Sequence, residues 1–179
     1  MAKILRQRRG VRGVALASLA LLANYGWVTS ARNQVGSSTI QKEKAMTKHA
    51  SGAFDVKATP QKPDNAVSES ANLGRMALDK QFHGALEATS KGEMLSAMTE
   101  KGSGGYVAME RVTGTLDGRS GSFLLQHSGT MTRGEPSMLI SVVPDSGTDQ
   151  LAGLAGTMVI EFPEGKHFYK FSYELPEGH

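Results

Sequence analysis

Glu110 and His127 are the residues of this chain whose types and setting could do chemistry. They lie in Tyr106–Thr132, which reads as two strands joined at Asp117-Gly118-Arg119-Ser120. That tetrapeptide suits a two-residue hairpin turn, with Gly118 supplying the positive φ of a type II′ turn. Folding the segment there faces Tyr106 to Met131, Ala108 to Gly129, Glu110 to His127, Val112 to Leu125, Gly114 to Phe123 and Leu116 to Gly121. The opposite face carries Arg111/Gln126, Thr113/Leu124 and Thr115/Ser122, so alternation with period two assigns the first face to the interior. Burial raises a carboxylate's pKa and an adjacent imidazole lowers it again, a tuning that suits proton transfer near neutral pH. The competing reading is a satisfied internal pair that fixes strand register, because buried charges must be paired.

Other side chains are weaker candidates. Lys80 falls on the apolar side of its stretch, between Leu78 and Phe82. There it could act as a base or hold an anionic head group, or simply keep its ammonium wet at a rim. Tyr106, Tyr169 and Tyr173 share inward faces and either point hydroxyls at a ligand or fill a core. His83, His127 and His167 fall in different strands, and His83 shares a solvated face with Asp79, Gln81 and Glu87. No His-x-His or His-Glu-x-x-His pattern occurs, so no N/O-ligated metal site is expected and no cofactor is implied. Gly102–Gly105 and Gly147–Gly156 lack the strand–loop–helix context and the Lys-Ser/Thr of a nucleotide cradle, and read as turns. Ser122 sits on the polar side with no nucleophile elbow around it.

The elements that must position these residues read as strands. From residue 50 onwards, apolar runs of four to eight residues alternate with glycine-rich turns, the spacing of an all-β sandwich or barrel. Ala50–Pro60 alternates Gly52, Phe54, Val56 and Ala58 against Ser51, Asp55, Lys57 and Thr59. Pro60–Ser70, with two prolines, reads as a long loop. Leu73–Ser90 puts Met76, Leu78, Lys80, Phe82, Gly84 and Leu86 on one side, and Glu93–Thr99 fits either a strand or a helical turn. Met138–Pro144 is a further strand, and Asp149–Leu154 could form one helical turn. A last hairpin over Gly156–Leu175 turns at Glu164-Gly165 and pairs Ile160/Tyr169, Met158/Phe171 and Gly156/Tyr173. Seven or eight strands in sequential order suit an up-and-down closed barrel, which removes exposed sheet edges.

Charge separates this domain from what precedes it. The chain has 20 Lys+Arg against 17 Asp+Glu, but residues 1–45 hold eight of the bases and a single acid. The folded region is therefore mildly acidic, and a nucleic-acid partner, which needs a basic face, is not expected. Lys3–Arg12 is a basic n-region, Val14–Ala23 an apolar run, and Val28-Thr29-Ser30 offers small residues for cleavage before Ala31. That is the layout of a secretory signal over residues 1–30, too short for a membrane span, followed by a polar linker over 31–49. Translation starting at Met46 is the alternative. The first reading makes the protein secreted or periplasmic, the second cytoplasmic. Zero cysteines exclude thiol catalysis and disulfides in either compartment.

Several stretches together resemble a known family. Gly74–Gly84, Leu86–Leu95, Tyr106–Glu110, Gly118–Phe123, Gln126–Gly129 and Val142–Thr148 look like an uncharacterised bacterial family, a domain of unknown function. The resemblance runs from Met46 to about Leu175. It implies a β-barrel similar to that of allene oxide cyclase, here a single antiparallel barrel of about eight strands over 50–175. It implies no reaction. The family usually follows the glycine at position 84 with an acidic residue, and this chain has Ala85 there.

Three functional classes follow. In the first, the barrel interior binds a small apolar molecule, with Val112, Phe123, Leu125 and Tyr173 as wall and Tyr106, Lys80, Glu110 and His127 at its polar end. In the second, an isomerase- or cyclase-like enzyme uses Glu110 and His127 for proton transfer in the same cavity. In the third, a filled barrel serves structure or assembly, and homo-oligomers are open in any class. Gly84, Gly114, Gly129 and Gly156 help to separate them. Space left beside these glycines favours the first two classes; aromatic neighbours filling it, as Phe123 would over Gly114, favour the third.

Overall fold

The computed structural model describes residues 46–63, 65–71 and 73–177. The leader and most of the expected linker therefore lie outside the described residues. Eight strands follow one another: β1 (Lys48–Gln61), β2 (Gly74–Phe82), β3 (Leu86–Met98), β4 (Gly104–Leu116), β5 (Arg119–Thr132), β6 (Glu135–Val142), β7 (Ala155–Glu161) and β8 (His167–Glu174). Each pairs antiparallel with its sequence neighbours, and β1 pairs with β8 to close the barrel. The barrel is thus the up-and-down type that alternation implies. β1 begins at Lys48, inside the stretch assigned to the linker.

Three local expectations are corrected and one open alternative is decided. The Leu73–Ser90 alternation is two strands, broken at Gly84, whose φ of 101° is accessible mainly to glycine. The expected long loop at Pro60–Ser70 holds the end of β1 and a short helix, α1 (Ala66–Ser70), capped by the Asn65 side chain accepting from Ser68 N at 2.9 Å. Glu93–Thr99 is strand as far as Met98. The β4–β5 turn has Asp117 and Gly118 as its central residues, with φ of 46° and 78°. Both values are positive, so the turn is type I′, which Asp-Gly favours.

That turn shifts the pairing. Glu110 faces Leu125, Ala108 faces His127, Val112 faces Phe123 and Gly114 faces Gly121. The expected register was displaced by two residues, which leaves every side chain on its expected face because the period is two. The β7–β8 hairpin keeps the expected pairs Ile160/Tyr169, Met158/Phe171 and Gly156/Tyr173.

The two ends of the barrel differ. At the base lie the β2–β3 and β4–β5 turns and the loop before β7, whose single 3-10 turn at Asp149–Leu151 inserts Leu151 into the core. Phe82, Leu86, Leu116, Phe123, Leu125, Leu154 and Phe171 are buried there. Phe123 stacks on Phe171 at 5.9 Å, Phe171 on Tyr173 at 5.3 Å, and Tyr169 meets Phe82 edge-on at 5.6 Å. Complete burial of each such side chain contributes roughly 1.5–3 kcal/mol, so this half holds the fold together. Two buried tyrosines also carry polar work: Tyr169 Oη accepts from Leu86 N and donates to His83 O, and Tyr173 donates to the Asp117 carboxylate.

The mouth is incomplete on one side. Pairing of β1 with β8 ends at Phe54–His167, although β1 runs on to Gln61 beside β2. On the other flank, β6 meets β7 only at Ile140–Met158 and Ser141–Thr157, while Glu135–Leu139 pair with β5 alone. The upper parts of β1–β6 therefore form an open trough rising above the β7–β8 hairpin.

Candidate functional site

The buried charges gather where packed base meets open trough. Among the described residues, four polar side chains are buried: Lys80, Ser90, Glu110 and His127. Inward-facing positions on four successive strands, β2 to β5, supply one each. Glu110 is their centre. Its Oε1 lies 2.9 Å from both Lys80 Nζ and His127 Nε2, and its Oε2 accepts from Ser90 Oγ at 2.8 Å.

Small residues make room for this cluster. Directly opposite Glu110 on β3 is Gly92, where a Cβ would come within 2.4 Å of Met109 O and 2.6 Å of Glu110 Cβ. Opposite His127 is Ala108. The Glu110–His127 contact is consequently diagonal, a reach long side chains manage across a ladder. Below it, the Lys80 ammonium lies over the Phe54 and Phe82 rings at 5.5 and 5.8 Å, so this lysine is sealed inside the barrel instead of reaching the rim.

Electrostatics settle the charge on Glu110. Burial pushes its carboxyl pKa up, but the His127 hydrogen bond and the Lys80 charge outweigh that and hold it down at about 2. The carboxylate is thus ionised near neutral pH, with both oxygens engaged. Burial, then the Glu110 charge, raises the Tyr106 phenol. Burial, then the Asp117 partner, pushes Tyr173 up to about 12.

The remaining sequence candidates divide by height. Val112, Phe123, Leu125 and Tyr173 are buried among one another and their neighbours in the packed half. Tyr106 is half-buried above the cluster, facing Gly129. The four marker glycines leave no gaps. The Tyr106 ring lies over Gly129 and the Phe171 ring beside Gly156; Gly114 is closed by the approach of Ala88, not by Phe123; Gly84 is closed by β1 backbone.

Three features were missed from sequence. Ser90 ends a stretch read as one continuous alternation, so its place opposite Lys80 on the next strand was hidden. The diagonal reach of Lys80 to Glu110 crosses a strand, which hairpin logic alone does not connect. A groove of about 590 Å³ lies on the outer face of β2–β5, where Pro63, Ser68 and Leu73 of the β1–β2 connection border Leu95, Val107 and Met109. Its lining is made largely of outward-pointing side chains, with Ala108 and His127 of the inner row also bordering it. Among the described residues, no group of three His, Asp or Glu side chains is arranged to hold a metal ion. No helix among them is long and apolar enough to cross a membrane.

Comparison with known proteins agrees with this architecture. No functionally curated protein matches the chain. A crystal structure of a protein of unknown function from the DUF3224 family of Shewanella oneidensis is similar, with 53% sequence identity and a TM-score of 0.68. The match covers 74% of this chain and all of that one. The family model for proteins of unknown function DUF3224 matches residues 50–173, so this eight-stranded barrel belongs to the DUF3224 family.

Proposed function

We propose that the protein binds a small, largely apolar molecule in the upper trough of the barrel, above the Lys80–Glu110–His127 cluster. One observation carries this reading. Inward-facing Met76, Leu78, Met94 and Tyr106 are only half-buried, and Met131 and Met138 remain 40% and 39% exposed, whereas their counterparts at the base are sealed. Inward-facing apolar surface left wet is what a ligand would cover.

Two polar groups are free to orient such a molecule. His127 gives Nε2 to Glu110, and its Nδ1 makes no hydrogen bond among the described residues yet is not sealed from solvent. The Tyr106 hydroxyl is in the same condition. The Glu110 charge fixes the His127 ring, which leaves Nδ1 as the working atom. Glu110 itself, ionised and saturated, has no proton to donate near neutral pH, which favours binding over proton transfer by this pair. The closed glycine gaps confine the site to the trough and leave the lower half to structure.

Anilinonaphthalene sulfonate, an apolar anion that brightens in dry surroundings, tests the reading together with mass spectrometry of molecules released from natively purified protein. Bright probe emission with the folded wild type, weakened by Leu78→Asn at unchanged circular dichroism, is the expected result. No emission and no released molecule would end the proposal in favour of a purely structural barrel.

A further inference from the structure

We propose that the rim of the mouth is a thioether site for a soft monovalent metal ion, Cu(I) or Ag(I), held by Met98, Met131 and Met138. The placement of methionine motivates it. Of the eight methionines among the described residues, Met76, Met94, Met98, Met131 and Met138 all occupy inward-facing positions at the mouth.

Three of them converge through the register. Gly104 on β4 is opposite Met98 on one side and Met131 on the other, so no side chain stands between those two. The Met98 sulfur lies 2.2 Å from where a Cβ on Gly104 would be, so it leans across the vacant position on its way to β5. Met138 faces Gly129, two residues from Met131 on the adjoining strand, and is its diagonal neighbour. The two hairpin ends are tied together, since Arg133 N donates to Ser103 Oγ at 3.1 Å. All three methionines are open to solvent, at 67%, 40% and 39%, unlike the core Met158 at 4%.

The donor chemistry is selective. Thioethers are soft ligands that suit Cu(I) and bind hard cations poorly, and among the described residues no carboxylate or imidazole occupies an inward strand position beside the three. An apolar lip for the trough would also use methionine, which adapts its shape to a guest. That role needs only volume, and leucine would fill it. A metal site needs sulfur.

The experiment separates the two. Full-length protein is titrated with Ag(I) by calorimetry, and with Cu(I) anaerobically against a chromophoric chelator, for wild type and the triple variant Met98→Leu, Met131→Leu, Met138→Leu. Wild type is expected to take up one ion per chain and the triple variant none, with the circular dichroism and melting temperature of the two unchanged. Methionine methyl NMR of the wild type reads the site without any substitution. Ag(I) should move the Met98, Met131 and Met138 signals and leave Met109 and Met158 in place. Wild-type protein that binds no Ag(I), a triple variant that binds it equally, or shifts at Met109 would overturn the proposal.

Discussion

His127 Nε2 lies 2.9 Å from Glu110 Oε1, although the residue directly opposite Glu110 across the β4–β5 ladder is Leu125. The contact is diagonal, and Lys80 reaches the same oxygen from the other side. Glu110 is thereby shared by a cation and an imidazole.

Coupling between these residues follows. Removing one partner strands the others in a dry interior, where an unpaired charge or polar group costs on the order of 1–5 kcal/mol. Glu110→Leu is expected to destabilise more than Glu110→Gln, whose amide still accepts one hydrogen bond. Adding Lys80→Met to Glu110→Leu should recover part of the loss by removing the stranded ammonium. Urea unfolding of the four proteins in that cycle measures the coupling, and a value near zero would show that the cluster does not act as a unit.

Acid should act through Glu110. Its carboxyl titrates at about 2 in the fold against an ordinary 4.5, so the ionised form stabilises the native state above that ordinary value. The contribution is lost as pH falls from about 4.5 towards 2, and that lowering corresponds to on the order of 3 kcal/mol. Unfolding midpoints across that range should fall steeply for wild type and less steeply for Glu110→Gln. Parallel curves would assign acid sensitivity to other carboxylates.

Gly92 is expected to tolerate no side chain. A Cβ there meets Met109 O at 2.4 Å and Glu110 Cβ at 2.6 Å, both parts of the neighbouring strand that cannot move without shifting Glu110. Gly92→Ala should cost about 1–3 kcal/mol, the usual range for overpacking. Gly105→Ala, whose nearest neighbour would be Gly129 O at 3.5 Å, serves as the control and should be close to neutral. Thermal melts of the two variants give the comparison directly.

A chain beginning at Met46 should fold as well as the full one. β1 starts at Lys48 and closes the barrel against β8, so the closure is complete without earlier residues. Equal melting temperatures for the two lengths are expected; a short chain that fails to fold would give the leader a structural part.

Much of this architecture is written in local chemistry. Alternation with period two assigned each of Tyr106, Glu110, Val112, Leu125 and His127 to the interior, because a strand offers its side chains only two faces. Parity survived even a misplaced turn, since the displacement was by two residues. The turn itself was misread because Asp117 takes a positive φ, a choice Asp tolerates when Gly follows and one that Gly118 alone does not announce. Other features depend on strands distant in sequence. Lys80 meets Glu110 across β3, and the difference between a packed base and an open mouth arises where β6 and β7 part and where β8 ends before β1. Whether a glycine leaves a hole likewise depends on which ring lies over it, as Tyr106 does over Gly129. Periodicity fixes which way a residue points, but closure of the barrel determines what it meets there.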